Sequence, residues 1–298
     1  MVPRTENFEA FIAPARRYPA IWRMILGIIS GFLVFLIGAF FVTTLLSRAL
    51  GIIDVSSPDF ISELERAETP EFMIIIFATF IPMALGAITM AAWHKRGLAS
   101  LLGTRHRFVE FFAKGFAVIV VLTAGYFAID FITGGLDFVR HLTWTEWSKH
   151  LIWAVPLLFI QITAEELVFR GYLQQQLAVC FNSFIWWMIL PSLVFALGHF
   201  KADLDPVLAV MIVFATFLFG LIAADFTRIT GSLGAAMGLH FANNFFSLLV
   251  IGVPGQLSGV ALFHTPYRMD DAELVAGFLV IDIAILGLIW LIGRRILR

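Results

Sequence analysis

The chain has 298 residues, 60% of them hydrophobic, and a formal net charge of −1. That composition excludes an ordinary soluble domain and points to a multispanning membrane protein, while the charge balance and the lack of a basic stripe give no argument for a nucleic-acid partner. The single cysteine, Cys180, excludes an intrachain disulfide and any cysteine-based zinc cluster.

Residues 8–23 set Phe8, Phe11, Ile12 and Trp22 beside Arg16 and Arg17, a pattern that fits an interfacial anchor or a flexible lead-in equally well. No cleavable signal peptide is evident, because the apolar run from Met24 is too long for one. Runs near the length that crosses about 30 Å of hydrocarbon then recur at 24–46, 72–93, 111–134, 151–177, 184–199, 207–224, 232–252 and 274–293. Lipid offers backbone groups no hydrogen-bond partners, so such runs must be helices. The expected fold is all-α and polytopic, with about eight transmembrane helices, of which the fifth and sixth are short. Between the first two runs, 54–71 is acidic (Asp54, Asp59, Glu63, Glu65, Glu68, Glu71) and suits an outer loop. Thirteen Lys and Arg fall on one side of the spans against six on the other, which predicts both termini in the cytoplasm; a bacterial plasma membrane is the expected setting.

Three of these runs carry polar clusters: Glu165-Glu166-x-x-x-Arg170, Phe195-x-x-x-His199 and His240-x-x-x-Asn244. Ionisable groups at membrane depth cost roughly 2.5–3.5 kcal/mol each on insertion scales and mark function by default. At 1.5 Å per helical residue, Glu165, His199, His240 and Asn244 fall roughly 12, 20, 12 and 18 Å from the inner face, within one middle band. Glu166 and Arg170 form a favourable i,i+4 pair, and Glu165 is rotated about 100° from Glu166. One carboxylate can thus be tethered while the other faces a cavity. His240 and Asn244 share a helix face, and Gly234-x-x-x-Gly238 just before them permits close helix approach, expected to bring that face to the fourth span.

These residue types can activate water. Glu165 with His199 can hold and deprotonate one water, and His240 with Asn244 can donate hydrogen bonds to the oxyanion formed when it attacks a carbonyl. A zinc ion held by Glu165, His199 and His240 is the alternative, since two histidines and a glutamate are a known catalytic set. The sequence leaves both open. No Gly-x-Ser-x-Gly elbow is present, and Cys180 lies away from the motifs.

Together, Glu165-Glu166-Leu167-Val168-Phe169-Arg170, Phe195-Ala196-Leu197-Gly198-His199 and His240-Phe241-Ala242-Asn243-Asn244 resemble the three signature motifs of the CPBP family, the CAAX-prenyl-protease-like and bacteriocin-processing intramembrane proteases. The similarity covers about 150–255, including the Thr230-Gly231-Ser232-Leu233 turn. The resemblance implies an intramembrane endopeptidase acting on a membrane-associated or lipidated protein or peptide. Glu165 and His199 would activate water, His240 and Asn244 stabilise the oxyanion, and Glu166 and Arg170 support. No cofactor is certain, although zinc fits the residue types. The expected organisation is a lead-in with three spans (1–145), a CPBP-like catalytic core (146–255), and a loop with the last span (256–298).

Plainer readings accompany these. Taken alone, Glu166/Arg170 reads as a structural ion pair. His94, His106, His141, His150 and His264 read as solvated histidines, Asp282 as a hydrogen-bonded packing partner, and Asp130 and the Glu110–Lys114 pair as snorkelling span ends. Gln174, Gln175 and Gln176 fit a cytoplasmic entrance or an interfacial helix end. A transporter or proton relay, or a non-catalytic immunity or scaffold protein, are the competing functions.

Overall fold

The computed structural model describes residues 3–52, 57–135 and 137–297; Asp54 and the Asp130 side chain lie outside the described residues. The architecture is helical. A short helix α1 (Glu6–Ile12) precedes α2 (Ile21–Ala49), α3 (Pro58–Arg66) and α4 (Pro70–Ala92). Then come α5 (Arg105–Thr133), α6 (Trp144–Cys180), α7 (Ile185–Leu197), α8 (Pro206–Thr230), α9 (Gly234–Asn244) and α10 (Ala272–Ile296). Side-chain caps set several starts: Thr5, Ser57, Thr69 and Asp205 each accept a backbone N–H of the first turn. Thr143 and Glu146 form a reciprocal capping box at α6.

Six of the described helices are long and apolar enough to cross a membrane: α2, α4, α5, α6, α8 and α10. The expected count of eight is not confirmed. The fifth run yields only α7, whose 13 residues rise about 20 Å before the chain turns at Gly198 and His199. In the seventh, α9 continues as a wide turn through Phe245–Val250 and then becomes extended at Ile251. The sixth run, by contrast, is a full 25-residue helix.

Small residues control the helix contacts. Gly31 of α2 lies against Gly86 of α4, where an added Cβ would meet backbone. Gly234 and Gly238 let α9 close on the backbone of α5 at Phe108, Phe112 and Phe116. The glycine stripe therefore faces the third span, while the His240/Asn244 face meets the fourth, as expected. The reason is angular: Gly238 and His240 differ by two residues, about 200° around a helix. Glycine contact with α5 turns His240 and Asn244 the opposite way, towards α6 and α8.

α1 packs against the protein, while Trp22 at the start of α2 is exposed. Phe8, Phe11 and Ile12 are buried within the protein, with Phe8 5.1 Å from the Trp187 ring. Arg4 donates to Ala178 O and Phe181 O, Thr5 to Arg228 O and Asn7 to Ile229 O. Gln174, Gln175 and Gln176 are fully buried and not at an entrance: Gln174 donates to Ala224 O, and Gln175 and Gln176 accept from Arg96. His94 is likewise buried, between Tyr18 O (2.7 Å) and the Tyr172 hydroxyl (3.0 Å), and is not solvated. At the other end, β1 (Val139–Arg140), β3 (Phe263–His264) and β2 (Ile251–Gly252) form a small sheet, with β1 antiparallel and β2 parallel to β3.

Candidate active site

α6 delivers the first motif in its most buried stretch, and immediately after Glu166 it widens into a π-helical run over Leu167–Gln174. A second such run, Phe245–Val250, starts directly after Asn244. Wide turns of this kind concentrate at functional sites, because they re-aim neighbouring side chains.

Glu166 is wholly buried, and its Oε1 accepts from Arg170 at 2.9 Å and from His240 Nδ1 at 2.9 Å. Its Oε2 has no hydrogen-bond partner among the described residues. Arg170 also donates to Gly220 O at 3.3 Å and lies 4.6 Å over the Phe195 ring. Each charge is thus compensated, on the carboxylate side through Oε1 alone. Glu165 accepts from Gln161 Nε2 at 2.8 Å, and its Oε2 lies 3.5 Å from His240 Nε2. One imidazole therefore stands between the two adjacent acids. Its ring also meets Phe219 edge-on at 5.0 Å.

Gln161 joins two motifs. Its amide donates to Glu165, and its Oε1 accepts from Asn244 Nδ2 at 3.1 Å. Sequence reasoning missed this residue, although it sits one helical turn before Glu165. His199 stands apart: Nδ1 lies 2.9 Å from Phe195 O, so a hydrogen there donates to the carbonyl and leaves Nε2 as the free acceptor. No contact joins His199 to Glu165; Glu165 pairs with His240 instead. His199, His240 and Asn244 nonetheless line one cavity of about 480 Å³ between α5, α8, α9 and α10.

Asp282 lines the same cavity and, among the described residues, has no hydrogen bond or ion pair, so it is not the packing partner expected from sequence. Glu110 and Lys114 do pair, at 2.6 Å. His141 and His264 stack at 4.0 Å beside the small sheet.

Glu165, His199 and His240 do not form a metal cluster in this arrangement. Both His240 nitrogens are directed at carboxylates, and among the described residues no group of three or more His, Cys, Asp or Glu side chains is placed to hold an ion. The chemistry below is therefore derived from the side chains alone.

Residues 146–246, about a third of the chain, match the family model described as type II CAAX prenyl endopeptidase Rce1-like. No curated protein and no solved structure matches the chain. The matched region begins at the α6 capping box and ends just beyond Asn244, so it encloses all three motifs and the residues that join them. The chain is thus an integral membrane protein with an Rce1-like CAAX endopeptidase domain, consistent with the CPBP family of membrane proteases.

Proposed function

We propose that the chain hydrolyses a peptide bond of a membrane-associated or lipidated protein, with Glu165 as the base and 146–255 as the catalytic core. The observation that carries this reading is the connected set Arg170–Glu166–His240–Glu165–Gln161–Asn244, which opens on the cavity through His240 and Asn244. Residues 1–145 and 256–298 act as its support.

The roles follow from the contacts. Glu166 is fixed through Oε1 by Arg170 and His240 and is wholly buried, away from substrate. Glu165, held on one oxygen by Gln161, takes a proton from water as the water oxygen attacks the scissile carbonyl. His199 Nε2, the acceptor left free by the Phe195 bond, orients that water. The carbonyl π electrons move to oxygen, and Asn244 Nδ2 and His240 Nε2 donate to the resulting oxyanion. Since Nδ1–H already donates to Glu166, this requires His240 in its imidazolium form. That form also balances the cluster, because Glu165 and Glu166 against Arg170 alone leave one negative charge. The C–N bond then breaks, and the proton held by Glu165 passes to the leaving amine. The site belongs to a chain with both termini in the cytoplasm, as the distribution of basic residues favours, in a bacterial plasma membrane.

Membrane peptides of cells making the wild-type chain, Glu165→Gln or His199→Ala test this directly. Products present with wild type should disappear with both variants while protein levels and monodispersity hold. Full cleavage by both variants overturns the assignment.

A further inference from the structure

Asp282 is a carboxylate near the middle of α10, outside the three motifs and outside the matched domain. An acid at mid-membrane depth survives where it faces a cavity and meets a partner. Its depth can be worked out from the helices. Trp290 of α10 donates to Asp225 of α8 at 3.0 Å, and Arg294 lies 3.5 Å from the same carboxylate, which fixes the two helices at one level. Phe219 lies six residues before Asp225, about 9 Å along α8, and its ring touches His240. Asp282 lies eight residues before Trp290, about 12 Å along α10 in the same direction. Asp282 and His240 are therefore within one helical turn of each other in depth, on walls of a single cavity.

The walls around Asp282 are aromatic. Tyr267 stacks on Phe278 at 4.8 Å with an interplanar angle of 12°, and Tyr126, Phe127 and Phe138 complete that end. The Tyr267 phenol is pushed up to about 12 by burial and then by the Asp282 carboxylate, and both residues line the cavity. One carboxylate among aromatic faces is the chemistry that takes an ammonium or guanidinium group, through ion pairing and cation–π attraction together. The cavity volume, about 480 Å³, is within the usual range for a bound ligand.

We propose that Asp282, Tyr267 and Phe278 form a subsite for a basic side chain of the peptide, so that the segment cleaved carries Lys or Arg beside the scissile bond. This rests on the endopeptidase reading, but binding and cleavage separate the two. First, the thermal midpoint of the purified full-length protein is followed against n-hexylammonium and, as control, n-hexanol. A saturable rise with the amine alone, retained in Glu165→Gln and lost in Asp282→Asn, is expected. No rise in wild type overturns the subsite; so does a rise lost in Glu165→Gln but kept in Asp282→Asn, which would place the cation at the motif acids. Second, proteoliposomes receive apolar membrane peptides with Lys or norleucine at successive positions. Wild type should favour Lys at one position by about tenfold or more in kcat/KM, and Asp282→Asn should bring that ratio near one. Amine binding with a ratio near one in wild type assigns the cation to a lipid headgroup and overturns the peptide subsite. Amine binding with no cleavage of any peptide refutes the endopeptidase reading, and the peptide subsite with it, while retaining the cation site.

Discussion

The Glu166–Arg170 pair gives the sharpest test of how the site is held. Arg170→Met replaces a fully buried guanidinium with an apolar side chain of similar reach. It deletes the 2.9 Å bond to Glu166, the 3.3 Å bond to Gly220 O and the cation contact with Phe195. What remains is a buried carboxylate with His240 as its one donor and Oε2 still unpartnered. Breaking a buried pair from one side costs roughly 3–5 kcal/mol, because the surviving charge keeps its desolvation cost. Removing both charges is often close to neutral, so the double variant Glu166→Gln/Arg170→Met should recover most of the loss. Reversible unfolding of the purified protein in mixed micelles measures both. A single variant within about 1 kcal/mol of wild type would show that the pair is solvated or compensated elsewhere; a double variant less stable than the single would show that shape, and not charge, governs the site.

Two further outcomes follow from neighbouring contacts. Gln161→Ala removes the donor to Glu165 and the acceptor for Asn244; a hydrogen bond to a charged group is worth roughly 1.5–3 kcal/mol, so kcat/KM should fall at least about tenfold, and a loss under twofold would sever Gln161 from the site. Burial, with smaller contributions from Arg96 and Arg23 and against the Tyr18 bond, holds the His94 imidazole below its ordinary 6.5, so the unfolded chain takes up the proton first, and the stability His94 contributes is whole above about pH 6.5 and declines below it. His94→Gln should flatten that acid-side decline in unfolding free energy; an unchanged slope refutes the assignment.

The sequence made the long helices visible because hydropathy over twenty residues reports burial in lipid directly. The count of spans is least legible where an apolar run yields a helix as short as Ile185–Leu197. Motif positions were legible from i,i+4 spacing, which shows what shares a face on one helix. Contacts between helices were not: nothing in the spacing showed that His240 lies between Glu165 and Glu166, or that Gln161 links α6 to Asn244. Which helix meets the glycine stripe was not legible for a related reason. Gly234-x-x-x-Gly238 identifies a surface for close approach without naming the helix that approaches. His94 was misread because a loop position says little about burial when an N-terminal segment folds back over it.

The angular offset between the glycine stripe and the His240/Asn244 face explains how ionisable groups persist here. α9 presents glycine to α5 on one side and His240 and Asn244 to α6 and α8 on the other. Close packing on the first side seals the helix against neighbours, with Phe112 and Phe116 near the Phe241 ring. The polar side is thereby enclosed by protein and not by lipid, where Arg170 pairs with Glu166 and the His240 ring stands between both acids. Mid-membrane charge is costly mainly when it faces hydrocarbon. In this fold the small residues on α9 create the polar interior that the motif side chains require, so the packing face and the chemical face of one short helix depend on each other.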